Sequence, residues 1–250
     1  MHDDALVAAL YDAAEAVRRA LGTLDDWGLA HTRPGQYRLD LVADEAAVAV
    51  LHRAGLGVLS EESGLSEPQR PILVVLDPVD GSTNASQGLP WFSTSLCALD
   101  ADGPRAAVVV NQASGVRYEA VRGAGARHNG RSISPSSRTA LGEAVVAING
   151  LPDRHPGWAQ FRALGSASLD LCAVADGVLD GYVTLGGHGL HGWDYLGALL
   201  VCTEAGVAVA ERDGQDLVAR DDRLLHPVAG ATPELLEQLL ALSVASRPAG

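Results

Sequence analysis

Lysine is absent from this 250-residue chain: all 18 basic residues are arginine, set against 31 Asp and Glu, for a formal net charge of −13. Without lysine there is no Schiff-base amine and no P-loop lysine. Any phosphate bound here must be met by arginine, backbone amides or a metal ion. The shortage of positive charge also argues against an extended nucleic-acid partner, which Lys and Arg would have to neutralise phosphate by phosphate. Cysteine is scarce too. Cys97, Cys172 and Cys202 lie far apart in apolar segments, with no Cys-X-X-Cys pair. That pattern fits small buried thiols in a reducing compartment better than disulfides or a zinc site. No apolar run reaches membrane-spanning length, and Met1-His2-Asp3-Asp4 is acidic where a signal peptide would be basic. No membrane partner and a cytoplasmic location are the expectation. The Gly-X-Ser-X-Gly elbow of serine hydrolases is missing as well, which weakens any triad built on Ser166.

What is present describes an ordinary globular chain, 47% hydrophobic and 20% charged, long enough for one large domain or two closely packed halves. Leu6, Leu10, Ala13, Val17 and Leu21 recur at helical spacing behind an acidic first turn. A loop from Asp25 to Gln36 precedes a second helix, about Leu39 to Ala54, stopped by Gly55. Strands are expected at Gly57 to Leu59, Ile72–Leu76, Phe92–Leu99, Arg105–Asn111 and Val116–Val121, the last three joined by hairpin turns. Further on, a strand at Ala144–Ile148 leads to helices near Trp158–Ala163 and Ser168–Asp176. A strand at Gly181–Leu185, a helix at His191–Ala205, a strand at Val207–Ala210 and a helix from Thr232-Pro233 follow. Residues 246–250 are expected to fray. The pattern predicts an α+β half over residues 1–130, carrying an antiparallel meander and the metal-binding loops. An α/β half over 131–250 would abut it, with the chemistry between them.

The most informative run is Ile72-Leu73-Val74-Val75-Leu76-Asp77-Pro78-Val79-Asp80-Gly81-Ser82-Thr83-Asn84. An apolar strand ends in a turn, so two carboxylates leave a rigid element with Pro78 fixing the backbone between them. Mg²⁺ is held by one or two carboxylates plus water and substrate phosphate, and this arrangement suits it. Gly81 lets backbone approach a ligand closely, and Ser82, Thr83 and Asn84 add hydroxyls, an amide and helix-start N–H groups. A surface Asx-turn would use the same residue types.

Three separated motifs decide between these readings. Ser60-Glu61-Glu62-Ser63 follows the short strand upstream, and Trp193-Asp194 opens an apolar helix downstream. Together with the Asp-Pro-Val-Asp-Gly-Ser-Thr turn they resemble, in order, the inositol monophosphatase family of Mg²⁺-dependent, Li⁺-sensitive phosphatases. The glycine-rich segment Gly123–Ile133 and the segment Gly165-Ser166-Ala167-Ser168 through Asp180-Gly181-Tyr182-Val183 are similar to the same family. The resemblance covers about Leu6 to Val228. It implies a layered αβαβα sandwich, an α+β fold, with two or three Mg²⁺ ions, metal-activated water as nucleophile, a small phosphorylated substrate and a homodimer. It further implies that Glu61, Asp77, the Val79 carbonyl, Asp80 and Asp194 hold metal. Glu61, Ser82 and Asp44 would serve the attacking water. Asp80, Gly81, Ser82, Thr83, Gly165, Ser166, Ala167, His188 and Asp194 would contact substrate.

Departures from the family pattern narrow these expectations. Ser60 replaces a Gly, Ser82 a Thr and Ala85 a Phe, and Leu41 to Ala43 offer no hydroxyl beside Asp44. The acid that recognises inositol hydroxyls would fall near Gly187, which puts myo-inositol 1-phosphate in doubt. Phosphatases of the same fold acting on histidinol phosphate, fructose 1,6-bisphosphate or 3′-phosphoadenosine 5′-phosphate are the alternatives, beside a non-catalytic binding protein. His188 and His191 are three apart, but a zinc site would want more N or S ligands. His188 is expected to line the substrate pocket and His191 to pack or cap. Arg154 and His155 read as a solvated loop.

Overall fold

The computed structural model describes residues 1–32, 35–218, 221 and 223–246; residues 247–250, expected to fray, lie outside them. Helices α1 (Asp3–Leu21) and α2 (Arg38–Arg53) cover one face of an eight-stranded sheet. The sheet is built from β1 (Gly57–Ser60), β2 (Gly64–Ser66), β3 (Leu73–Asp80), β4 (Ser93–Asp100), β5 (Gly103–Asn111), β6 (Arg117–Val121), β7 (Ala126–His128) and β8 (Arg131–Ser132). Its order is β2-β1-β3-β4-β5-β6-β7-β8. Only β1 and β3 pair in parallel; the rest is antiparallel. A short helix α3 (Ser82–Ser86) follows β3.

The second half supplies β9 (Val145–Asn149), β10 (Gln160–Arg162), α4 (Ala167–Ala175), β11 (Gly181–Thr184), α5 (Gly192–Ala205), β12 (Ala208–Glu211), β13 (Pro227–Gly230) and α6 (Pro233–Ala245). Its five strands run in the order β10-β9-β11-β13-β12. Strand alternation shows how the layers stack. Val74, Leu76, Leu96, Ala98, Val108 and Val110 turn toward α1 and α2. Val75, Cys97, Leu99, Ala107 and Val109 turn the other way, onto α4 and α5, which in turn meet Ala147, Tyr182 and Ala229 of the second sheet. Val146, Ile148, Val183 and Val228 then pack beneath α6 through Leu235 and Leu239. The result is αβαβα. Helix α5 sits close on β4 because position 197 is glycine: a Cβ there would come 2.6 Å from Ser95 Oγ.

The five helical residues from Leu6 to Leu21 are all buried as their spacing predicted, and the three cysteines are free and buried. The helix expected near Trp158–Ala163 does not form. Gln160–Arg162 instead pairs in parallel with β9 as an edge strand, and Trp158 packs into the cluster under α6. Gly157 ahead of the segment and exposed side chains along it leave no apolar helical face to bury. The turn expected after Leu76 is also absent as such. Strand β3 continues to Asp80, with Asp77 opposite Ser95, Asp80 opposite Ser93, and an irregularity between. Pro78 has no N–H to give the ladder and sits where the ladder is broken, while its carbonyl accepts from Thr94 Oγ1 at 2.8 Å.

Candidate active site

Three elements bring carboxylates together. The parallel register of β1 and β3 sets Ser60 beside Leu76, and Glu61 N donates to Leu76 O at 3.2 Å, so Glu61 lies next to Asp77. Asp194 enters from the third position of α5, where its Oδ2 accepts from His191 N at 2.8 Å. Ligand oxygens of Glu61, Asp77 and Asp194 all fall within 4.8 Å of one another. Of the three, Glu61 lines a cavity of about 420 Å³, together with Gln36, Asp40, Ser82, His191 and Trp193, among others.

Electrostatically the cluster is unbalanced. Burial, followed by repulsion from Asp194, Glu62, Asp40 and Asp80, pushes the Glu61 carboxyl up to about 8. Burial and Asp80 push Asp194 to about 7, against the lowering effect of the His191 amide. Asp77 is driven well above the carboxylate range by burial and by Glu61, Asp80 and Asp194. Its Oδ1 is buried with no hydrogen-bond partner. A buried acceptor in that condition is destabilising by about 1–3 kcal/mol, and a divalent cation would relieve the repulsion and give that oxygen a partner. The donor set is all oxygen, which suits a hard cation.

Asp40 is the site residue that sequence reasoning missed. Its Oδ1 accepts from Ser82 Oγ at 2.6 Å and its Oδ2 from Tyr37 N at 3.0 Å. Asp44, expected to serve the water, lies one helical turn further along α2 and accepts from Ser60 Oγ at 2.5 Å. Both acids are buried on one face of the helix, as four-residue spacing dictates. What separates them is the helix start: α2 begins at Arg38, so Asp40 is its third residue, as Asp194 is of α5. Both helices thus turn their positive N-terminal ends toward the acids.

The other expected residues divide into two groups. The Val79 carbonyl accepts from Ser82 Oγ at 2.8 Å. Gly81 holds φ +93°, and a Cβ there would meet Gly165 O at 3.0 Å and Trp91 O at 3.1 Å, so the turn tolerates only glycine. Asn84 ties the same approach together, donating to Trp91 O at 2.8 Å and Leu164 O at 2.6 Å. Thr83 Oγ1 is 3.2 Å from Tyr37 OH. Asp80, by contrast, is not in the convergent triad. Ser166, Ala167 and Ser168 engage its carboxylate from the N-terminus of α4, so Gly165, Ser166 and Ala167 meet the Asp-Gly turn and not the cavity. His188 is exposed, lies against Gly150 and Gly186 beyond the ends of β9 and β11, and is not among the residues lining the cavity. His191 lines the cavity instead, stacked on Trp193 with centroids 4.6 Å apart, and His191 Nδ1 and Trp193 Nε1 have no hydrogen-bond partner. The Trp-Asp motif could have pointed to both rings.

A second group, Glu211, Asp213 and His226, also has convergent ligand atoms. Here both Glu211 oxygens are occupied by backbone amides of His226, Asp213 and Gln215. The Arg212 guanidinium lies 3.5 Å from Asp213 and already supplies positive charge. This is a capped turn.

The sequence profile of the inositol monophosphatase family matches residues 5–247. A fructose-1,6-bisphosphatase/inositol-1-monophosphatase of Archaeoglobus fulgidus is 33% identical over 216 residues, covering 82% of this chain and 84% of its own. An inositol-1-monophosphatase of Mesorhizobium japonicum is 33% identical over 235 residues, covering 85% and 86%. Among solved structures, the extragenic suppressor protein suhB of Bartonella henselae superposes with a TM-score of 0.81 at 26% identity, covering 96% of this chain and 99% of that one. The chain belongs to the inositol monophosphatase family.

Proposed function

We propose that this protein is a phosphoric monoester hydrolase acting on a small inositol- or sugar-phosphate-like substrate with Mg²⁺. The observation that carries the reading is the convergence of Glu61, Asp77 and Asp194 around an unpartnered buried Asp77 oxygen. Glu61, Asp77 and the Val79 carbonyl would hold a first cation, and Asp80 and Asp194 would hold a second. Bound there, Mg²⁺ would neutralise the cluster and the substrate phosphate and lower the pKa of a coordinated water.

The chain's own residues then do the following. Ser82 Oγ holds one hydrogen between two acceptors, Asp40 Oδ1 and Val79 O. Its lone pair is free to accept from a water in the cavity. Asp40 takes the proton of that water through Ser82, as a base held in place by the Tyr37 amide. The Gly81, Ser82 and Thr83 amides at the start of α3 receive phosphate oxygens. His191 and Trp193 wall the leaving-group side with an apolar face and two unused polar atoms. The phosphorus–oxygen bond to the alcohol breaks as the water oxygen bonds to phosphorus, and the alkoxide takes a proton from solvent. No helix among the described residues is long and apolar enough to cross a membrane. The family reading carries with it a homodimer, a cytoplasmic location and lithium sensitivity.

Phosphate release from a panel of inositol, sugar, histidinol and 3′-nucleotide phosphates tests this reading. The expected result is turnover that requires Mg²⁺ and favours a polyol or sugar ester. A folded, Mg²⁺-supplied protein that hydrolyses none of them would favour the binding-protein alternative.

A further inference from the structure

Asp80 is crowded with donors where Asp77, three residues earlier in the same strand, has none for its Oδ1. Asp80 Oδ2 accepts from Ser166 Oγ at 2.6 Å, from Ser168 N at 2.8 Å and from Ser168 Oγ. Its Oδ1 has a single long contact, from Ala167 N at 3.3 Å. Ser93, the cross-strand partner of Asp80, stands behind them, with its Oγ 2.8 Å from Ser168 Oγ and 3.5 Å from Ser166 Oγ. All three serines are fully buried. Buried hydroxyls need partners, and here those of Ser166 and Ser168 converge on one carboxylate oxygen while that of Ser93 meets the other two serines. Three donors use up the lone-pair directions of that oxygen, so Oδ1 is the one left to offer. Asp80 is near enough that its charge acts on Glu61, Asp77 and Asp194.

We propose that Ser93, Ser166 and Ser168 form a hydroxyl cage that positions Asp80, engaging Oδ2 so that Oδ1 alone is offered to a cation beside Glu61, Asp77 and Asp194. The inference rests on the metal-dependent reading above and deepens it. Without the cage the carboxylate rotates about its last torsion, which is broad and two-fold, and presents either oxygen. Partners that orient a ligand in this way govern metal affinity without touching the metal. Because the donors come from β4 and from the first turn of α4, the cage also makes the cation site depend on how the two halves of the molecule are seated.

The test uses Mn²⁺ alone as probe, with free ion followed by electron paramagnetic resonance, on the unmodified protein, Ser168→Ala and Ser93→Ala. Thermal unfolding of each variant reports whether the fold is kept. Ser168→Ala is expected to weaken Mn²⁺ binding about tenfold, and Ser93→Ala, which removes only the buttress, by less. Should Ser168→Ala fail to fold, Ser93→Ala decides by itself. Folded variants that bind Mn²⁺ as tightly as the unmodified protein would overturn the cage and reduce the serines to packing. If the unmodified protein itself binds no Mn²⁺, the metal-dependent reading falls, and the cage with it.

Discussion

Two regions of this molecule gather ligating side chains at nearly the same spacing, and they have opposite electrostatics. At Glu211, Asp213 and His226 the carboxylate oxygens of Glu211 receive backbone N–H groups and Arg212 lies beside Asp213. At Glu61, Asp77 and Asp194 one buried oxygen is unpartnered, acids face acids, and all three carboxyls are raised, that of Glu61 to about 8. The count of ligands is the same. What differs is whether the protein has already supplied the compensating charge. A site that has done so is finished structure, and one that has not is prepared for something to arrive.

The largest effect expected from this contrast is at Asp77. Asp77→Asn removes the buried central carboxylate of the cluster and should lower turnover by about 10³-fold or more. It should also leave the cation-free fold at least as stable, since a buried repulsive charge has gone. Wild-type-like turnover of Asp77→Asn in steady-state assays would remove the cluster from the chemistry.

Asp40→Asn comes next, with an expected loss of about 10²-fold in kcat, as for removal of a general base, and little change in KM. Asp44→Asn should fall well short of that. Equal losses for the two would return the water-orienting role to Asp44.

The third prediction concerns pH. Glu61 and Asp194 titrate near 8 and 7 in the native protein but near 4 when unfolded. The native state therefore keeps protons that the unfolded state releases, and stability falls as pH rises from about 4 to about 8. Thermal unfolding without metal should show Tm dropping steadily across that window. Mg²⁺ should flatten the slope by binding the ionised cluster. A Tm that rises over the same window without metal would contradict the charge imbalance.

The smallest effect on function is expected at the other cluster. Glu211→Gln weakens charge-assisted hydrogen bonds to three amides and should destabilise the fold by about 2 kcal/mol, with turnover unchanged. Lost turnover in a folded Glu211→Gln protein would mean that the two regions are not as different as their partners suggest.

Much of the candidate site was legible because it sits on local chemistry. Gly81 declares a left-handed turn residue, though not that the strand runs on to Asp80, and Trp193-Asp194 declares a helix start. The rest depended on contacts that no local pattern carries. Asp40 and Asp44 share a helix face, and only the residue at which α2 begins, with Ser82 arriving from 42 positions away, tells them apart. Asp80 looked like the twin of Asp77 until α4 brought two serines to it from 86 and 88 residues on. The strand Gln160–Arg162 is three residues on an exposed edge, set by the β9 ladder; six residues with one buried aromatic carry too little periodicity to reveal that. His188, expected to line the substrate pocket, is exposed on the Leu185–Leu190 loop against Gly150.

The central claim is that the uncompensated cluster, and not the compensated one, holds the cation. Calorimetric titration of Mg²⁺ into the unmodified protein, Asp77→Asn and Glu211→Gln tests it most directly. The account predicts binding in the unmodified protein and in Glu211→Gln, and its loss in Asp77→Asn. Binding that survives in Asp77→Asn, or disappears in Glu211→Gln, would contradict it.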